Sequence, residues 1–179
     1  MVFARISLLF TVSLVLALAG CGNMEDDLFP SGTSKLPVVQ AGTTGPLVGQ
    51  NAPDFTLPDS FGNPVTLSSV LPAHKGVVLY FTMWCPICAS DMNYMQNYII
   101  PQNPDVLFFA VDYVSGSVAA AQGNDASGFI VLVDINQVVC KLYGDATMAT
   151  TVVIDKNGVI QMNQGFWVEK LQSVLAGLP

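Results

Sequence analysis

A short apolar segment that runs into a pair of cysteines constrains this chain more than any other feature. Residues 77–81 (VVLYF) have the length and the β-branched and aromatic content of a buried strand. A C-x-x-C motif, residues 85–88 (CPIC), begins three residues after Thr82. The stretch that follows it predicts a helix to about Tyr98. The two cysteines are therefore expected to open a helix just after a strand.

A position at the start of a helix favours redox chemistry by such a pair of cysteines. Unpaired backbone N–H groups and the helix dipole favour negative charge there, so we expect the thiolate of Cys85 to be stabilised. Cys88 lies one turn later on the same face, within reach of a disulfide. Pro86 suits the first turn because it has no N–H to lose. This geometry predicts that Cys85 exchanges sulfur bonds with a partner and that Cys88 resolves the mixed disulfide.

The first twenty residues predict a secretory signal peptide. Arg5 precedes an apolar run, residues 6–19, that is too short for a comfortable membrane span. The run ends in residues 18–21 (LAGC), which resemble the bacterial lipobox, whose cysteine is lipidated and becomes the new N-terminus. We therefore expect lipidation at Cys21, then a flexible tether over residues 21–47 that is rich in Gly, Ser, Thr and Pro. The chain would be anchored outside the cytoplasm, on the periplasmic side of a bacterial membrane, where disulfides are permitted.

Residues 48–179 have the size of one domain in which strands and helices alternate. The pattern predicts an α/β fold with a mixed central sheet flanked by helices and with an N-terminal β-hairpin extension. Cys140 falls in a predicted helix beside two valines, which indicates a buried structural thiol. The predicted strands cover residues 54–57, 65–67, 77–81, 106–111, 130–133, 151–154 and 159–162, and the predicted helices cover residues 85–98, 117–122, 136–143 and 166–178.

Two stretches of the domain carry a resemblance to a known family. Trp84, Cys85, Pro86 and Cys88, placed after a strand, resemble the active site of thioredoxin-fold proteins. The wider pattern, with VGQNAPDF at residues 48–55 and VIDKNG at residues 153–158, is similar to the redoxin (AhpC/TSA) branch of that fold. That branch includes TlpA/ResA-type membrane-anchored thiol–disulfide oxidoreductases and the peroxiredoxins.

The resemblance implies a thioredoxin-like fold and disulfide exchange with exported protein thiols, which in some relatives are apocytochrome cysteines that await haem. It also implies a membrane redox partner and no cofactor or metal, and we expect a monomer. The sequence has thirteen acidic and six basic residues. Its only arginine, Arg5, leaves with the signal peptide, and this balance argues against binding nucleic acid.

Asp91 and Ala149 are the remaining candidate site residues. Asp91 stands three residues after Cys88, where ResA-type proteins carry an acid, and it would either relay protons or be a solvated acid of the first helical turns. Oxidoreductases of this fold place a cis-proline opposite the C-x-x-C, and the matching residue here is Ala149. A cis bond before a non-proline residue costs about 2.5–4 kcal/mol, so we expect a trans peptide and an altered wall of the site.

A peroxidase is one alternative use of the same cysteines. Thr82 lies three residues before Cys85, as in the Thr-x-x-Cys of peroxiredoxins. Those enzymes also carry an arginine at the position of Ala149 and a proline at the position of Leu79. Because both are missing, peroxidase activity is disfavoured.

A Cu(I)-binding module, similar to the Sco-type redoxins, is the other alternative. Two thiols are soft ligands suited to Cu(I), and thioethers could join them. Against it, Sco proteins space their cysteines C-x-x-x-C and use a downstream histidine, whereas the only histidine here, His74, precedes the strand. The methionines that could crowd such a site are Met83, Met92, Met95 and Met148.

Overall fold

The structure, a computed structural model, describes residues 39–40, 42–124 and 126–179. The predicted signal peptide, Cys21 and most of the predicted tether lie outside these residues. Among the helices that are described, none has the length and hydrophobicity needed to cross a bilayer. Residues 42–47, which the sequence assigns to the end of the tether, form a turn against the domain, where the Asn163 side chain donates to the Pro46 carbonyl at 2.8 Å.

In the described part of the chain, seven strands and five α-helices follow one another in the order that the sequence predicts, with one short helix added. The elements are β1 (Thr56–Pro58), β2 (Pro64–Thr66), α1 (Leu67–Val70) with its 3₁₀ turn (Leu71–Ala73), β3 (Gly76–Thr82), α2 (Pro86–Tyr94) with its π turn (Met95–Ile99) and 3₁₀ turn (Ile100–Gln102), β4 (Val106–Asp112), α3 (Val118–Ala121), β5 (Ile130–Val133), α4 (Val138–Leu142), β6 (Thr150–Asp155), β7 (Ile160–Gly165) and α5 (Val168–Ala176).

Five strands form a mixed sheet in the order β5-β4-β3-β6-β7. Strands β3, β4 and β5 are parallel, while β6 pairs antiparallel with both β3 and β7. Strands β1 and β2 form a separate antiparallel hairpin. The predicted mixed sheet and N-terminal hairpin are therefore confirmed. The sequence missed α1, because four residues are too few to show a helical period.

The central strand β3 is buried on both faces, which is why it reads as a continuous apolar run. Its side chains alternate between two hydrophobic clusters. Leu79 and Phe81 pack with the hairpin, α1 and α4, whereas Val78 and Tyr80 pack with α2 and α5. Tyr80 and the cysteine-bearing helix α2 thus share one side of the sheet.

Candidate active site

Cys85 and Cys88 lie at the N-terminus of α2, immediately beyond the carboxyl end of β3. Cys85 caps the helix, because its Sγ accepts a hydrogen bond of 3.2 Å from the Cys88 N–H. Pro86 is the first residue of α2, where its missing N–H costs no intrahelical bond. The two Sγ atoms are 2.7 Å apart as free thiols. Cys85 is half-buried and Cys88 fully buried, so a partner would meet Cys85 first.

Hydrogen bonding makes Cys88 easier to ionise than an ordinary cysteine. Burial of this thiol opposes ionisation, but hydrogen bonds from Cys85, the Met83 backbone and the Thr82 hydroxyl together lower the pKa of Cys88. Because the two thiols share a hydrogen bond, loss of the first proton is a property of the pair. The lowered pKa favours ionisation of one sulfur beside a second sulfur, as disulfide exchange requires.

Asp91 is held by a tyrosine that no motif in the sequence indicates. It lies three residues after Cys88 on α2 and is half-buried. The Tyr80 hydroxyl donates to its Oδ2 at 2.9 Å. Burial raises the pKa of Asp91, and the Tyr80 hydrogen bond offsets part of that increase. The sequence could have indicated Tyr80, because a tyrosine in a fully buried strand needs a partner for its hydroxyl.

Trp84 follows the end of β3, and its indole lies near Asp112 at the end of β4. Its φ of 59° is left-handed, and its N–H donates to the Thr82 hydroxyl at 3.0 Å. Asp112 is paired opposite Thr82 and accepts hydrogen bonds from the N–H groups of Val114 and Ser115. Burial would raise the pKa of Asp112, but these bonds, the Ser115 hydroxyl and the nearby Trp84 indole together lower it. The indole N–H itself is buried and makes no direct hydrogen bond within the described residues.

Ala149 forms the wall opposite the cysteines in an unusual conformation. No cis peptide occurs in the described residues, so the predicted trans bond before Ala149 is confirmed. Its φ is 63°, in the left-handed region that favours glycine. The Ala149 N–H donates to the Phe81 carbonyl at 3.0 Å, and its own carbonyl accepts from the Phe166 N–H at 2.8 Å. An alanine in the sequence does not predict a left-handed backbone conformation at its position.

Met148, the residue before Ala149, touches the nucleophile. Its Sδ accepts from the Cys85 thiol at 3.1 Å, and 37% of its side chain is exposed. Of the other methionines near the pair, Met92 on α2 and Met95 in its π turn are buried, and Met83 is exposed. The sequence indicates Met148 only as a possible member of a methionine group, because its contact with Cys85 joins residues that are 63 positions apart in the chain.

His74, a candidate metal ligand, and the thiol of Cys140 both lie away from the Cys85–Cys88 pair. His74 precedes β3, at the end of the strand away from the cysteines, and its Nδ1 is 2.9 Å from the Val70 carbonyl. Cys140 is buried in α4, and burial, together with Asp134, raises its pKa to about 12. Within the described part of the chain, no three His, Cys, Asp or Glu side chains group as a metal site would require.

Comparisons with known proteins agree with this geometry. The model of the AhpC/TSA family matches residues 48–163. The thiol-disulfide oxidoreductase ResA of Geobacillus thermodenitrificans is 34% identical over 66% of this chain and 69% of its own length. The protein of the same name from Bacillus thuringiensis subsp. konkukian is 30% identical over 88% of both chains. The solved structure of the exposed lipoprotein thioredoxin of Streptococcus pneumoniae superposes with a TM-score of 0.51, at 25% identity, over 68% of this chain and 98% of that one.

Proposed function

Because the chain belongs to the AhpC/TSA family, as a redoxin of the TlpA/ResA type, we propose that its Cys85–Cys88 pair exchanges disulfides with exported protein thiols. The chain is a thiol–disulfide oxidoreductase by its relationship to the ResA proteins. The observation that carries the assignment to these two residues is the pair of sulfur atoms 2.7 Å apart at a helix N-terminus, one half-buried and one buried.

The proposed exchange proceeds in two steps that conserve atoms and electrons. The Cys85 thiolate attacks one sulfur of a partner disulfide, which forms a mixed disulfide and releases the other partner sulfur as a thiolate. The Cys88 thiolate then attacks Cys85 Sγ, which forms the Cys85–Cys88 disulfide and releases the second partner thiolate. The partner gains two electrons and the enzyme loses two. The reverse sequence oxidises a partner dithiol, and apocytochrome cysteines are one class of thiol that the resemblance supports.

Asp91 supports the second step as a proton acceptor. It lies one helical turn beyond Cys88, and Tyr80 holds its carboxylate in place. Its pKa is raised by burial, which brings the carboxyl closer to the range in which it can exchange a proton with a thiol. Trp84 and Ala149 shape the surface around the pair and take no part in proton transfer.

We further propose that the protein is anchored outside the cytoplasm through a lipid on Cys21. The support is the order of an apolar run followed by LAGC, and the similarity to an exposed lipoprotein thioredoxin. Metabolic labelling with a radioactive fatty acid should mark the wild-type chain in the membrane fraction and leave Cys21→Ala unlabelled. Equal labelling of the two proteins would contradict the anchor.

Thiol trapping tests the oxidoreductase assignment directly. The purified domain is equilibrated across a glutathione redox series and its free thiols are then alkylated and counted by mass. We expect Cys85 and Cys88 to convert together between dithiol and disulfide. Cys88→Ser should accumulate a mixed disulfide through Cys85, and Cys85→Ser should not. If the pair never interconverts, the proposed function fails.

Cu(I) binding is a second candidate, favoured by the sulfur-to-sulfur contact between Met148 and Cys85. Three soft donors meet there, counting Cys88, and soft donors suit Cu(I). Anaerobic titration with Cu(I) against a chromophoric chelator should then show stoichiometric binding that Cys85→Ser abolishes. Peroxide turnover remains disfavoured, because Ala149 stands where peroxiredoxins carry an arginine. Formation of a sulfenic acid at Cys85 with catalytic peroxide consumption would reverse that assignment.

A further inference from the structure

Hydrogen bonds hold the turn that carries Met148 at three positions, Thr147, Ala149 and Thr150. Ala149 is tied to Phe81 on one side and to Phe166 on the other by backbone hydrogen bonds. Thr147 and Thr150 close the turn, since the Thr147 N–H donates to the Thr150 hydroxyl and the Thr150 N–H donates to the Thr147 carbonyl, both at 3.0 Å. A left-handed alanine costs about 1–2 kcal/mol, and such strain persists where the surroundings over-determine it. Met148 is therefore presented to the site by a rigid segment.

The sulfur of Cys85 is in contact on two sides. From the helix, the Cys88 thiol lies 2.7 Å away and the Cys88 N–H lies 3.2 Å away. From the opposite wall, the Met148 thioether lies 3.1 Å away. Because Met148 is 37% exposed, its side chain extends from this contact to the protein surface. A partner sulfur that approaches Cys85 from the wall side meets the thioether first.

On the cysteine side of this contact, the surface formed by residues 82–90 exposes apolar side chains and carries no charge. Ile87 is 58% exposed and Met83 is 43% exposed, and residues 82–90 contain no charged side chain. A charged side chain that packed against this surface would lose hydration without gaining a partner. An apolar side chain would bury the exposed surface and replace the thioether contact, and unbranched methionine adapts readily to different shapes.

We propose that Met148 covers the nucleophilic sulfur of Cys85 and selects partner disulfides that are flanked by apolar residues. The inference rests on the proposed exchange function, and it adds the class of partner. An apolar residue next to the partner's cysteine displaces the Met148 side chain and opens the path to Cys85. A polar or acidic neighbour leaves Met148 in place, so the partner disulfide reacts slowly.

The first measurement follows alkylation of Cys85 by iodoacetamide in Cys88→Ser backgrounds, which requires no exchange activity. Met148→Ala should be alkylated about three- to tenfold faster than the parent, because the cover is removed. Met148→Leu keeps the volume and should stay within twofold of the parent. Leu142→Ala is the matched control, because Leu142 is also 37% exposed but lies on α4. Equal alkylation rates for Met148→Ala and the parent would overturn the proposal that Met148 covers Cys85.

The second measurement compares two disulfide peptides that differ only in the residue beside the cysteine, leucine in one and aspartate in the other. The wild-type dithiol should reduce the leucine peptide at least tenfold faster, and Met148→Ala should reduce the two at rates within threefold. If Met148→Ala prefers the leucine peptide as strongly as the wild type does, Met148 does not select the partner disulfide. If the wild type reduces neither peptide nor glutathione disulfide, the proposed function fails, and the alkylation rates alone decide whether Met148 covers Cys85.

Discussion

The Tyr80 hydroxyl donates a hydrogen bond of 2.9 Å to Oδ2 of Asp91 on the side of the sheet where α2 packs. Tyr80 is fully buried in β3, and the carboxylate it contacts belongs to the helix that begins with the cysteines. The thiols of Cys88 and Cys85 are the other ionisable groups that act on the Tyr80 hydroxyl. The strand thus fixes the position of a charge on the functional helix.

Tyr80→Phe tests this coupling through stability at two pH values. A hydrogen bond to a carboxylate favours the charged form, so its loss should raise the pKa of Asp91 further. A group with a raised pKa contributes stability below its unfolded-state pKa and loses it as pH rises through the folded-state pKa. We therefore expect Tyr80→Phe to lower the free energy of unfolding by about 1 kcal/mol at pH 7 and by less at pH 3.

Urea unfolding of the reduced protein at the two pH values provides the measurement. Tyr98→Phe is the control, because that ring is 56% exposed and its substitution should change little at either pH. A deficit in Tyr80→Phe that is the same at pH 3 and pH 7 would show that the hydroxyl does not act through the charge of Asp91.

Substitution of Ala149 should change stability in opposite directions with glycine and proline. Glycine adopts a positive φ without strain, so Ala149→Gly should raise the free energy of unfolding by about 0.5–1 kcal/mol. Proline has a φ near −65° and no N–H for the Phe81 carbonyl, so Ala149→Pro should lower it by about 3 kcal/mol. Ala89→Gly, in the exposed part of α2, should be destabilising by about 0.5–1 kcal/mol.

Thermal and urea unfolding of the reduced variants checks these signs. A stabilising Ala149→Pro would mean that the wall can adopt the proline backbone of related oxidoreductases. A destabilising Ala149→Gly would mean that the left-handed conformation carries no strain.

Asp112→Asn should destabilise the segment that follows β4. Its buried carboxylate accepts hydrogen bonds from Ser115 and Asn124, and their loss or weakening should cost about 2 kcal/mol at pH 7. The pKa of Asp112 is lowered, so its contribution is present above the unfolded-state pKa and is lost as pH falls through the folded-state value.

The difference in the free energy of unfolding between Asp112→Asn and wild type should therefore narrow once the pH falls below about 4. Denaturant unfolding between pH 2.5 and pH 7 measures it. Asp105→Asn serves as the exposed control just before β4. A gap that stays constant over the whole pH range would contradict an ionised, hydrogen-bonded Asp112.

Cys140 should remain inert while the protein is folded. Burial, followed by the charge of Asp134, raises its pKa to about 12, so almost none of it is thiolate at pH 8. Iodoacetamide at pH 8, with peptide mapping, should label Cys85 at least a hundredfold faster than Cys140. In denaturant the two should react at similar rates. Rapid labelling of Cys140 in the folded protein would contradict its assignment as a structural thiol.

Local sequence patterns are sufficient to predict most strands and helices and the position of the Cys85–Cys88 pair. The apolar run of β3 and the turn residues of both hairpins predicted the correct strands, and the spacing of Cys85 and Cys88 predicted their place at the start of α2. Each of these features is set by neighbours within a few residues. The helix after the pair was predicted as one regular α-helix, whereas a π turn follows Tyr94 and turns Met95 and Ile99 into the core.

The opposite wall could not be predicted, because it depends on residues that are distant in sequence. The partner of Cys85 in this wall, Met148, lies 63 residues further along the chain. The left-handed backbone at Ala149 is imposed by Phe81 and Phe166, and an alanine does not reveal it. In the sequence Tyr80 resembles the apolar residues of its strand, because its hydrogen-bond partner lies on another element.

The pairing of β6 with β3 also sets the order in which the molecule matures during folding. Helix α2 forms from local contacts on a submicrosecond to microsecond scale, whereas bringing residues 63 positions apart together is a slower, non-local event. We therefore expect the local contacts of α2 to form before the pairing of β6 with β3 brings the turn that carries Met148 to the cysteines. Over that interval the nucleophile is open to any neighbouring cysteine, including those of other nascent copies. Variants that delay β6 should reveal themselves first as disulfide-linked oligomers.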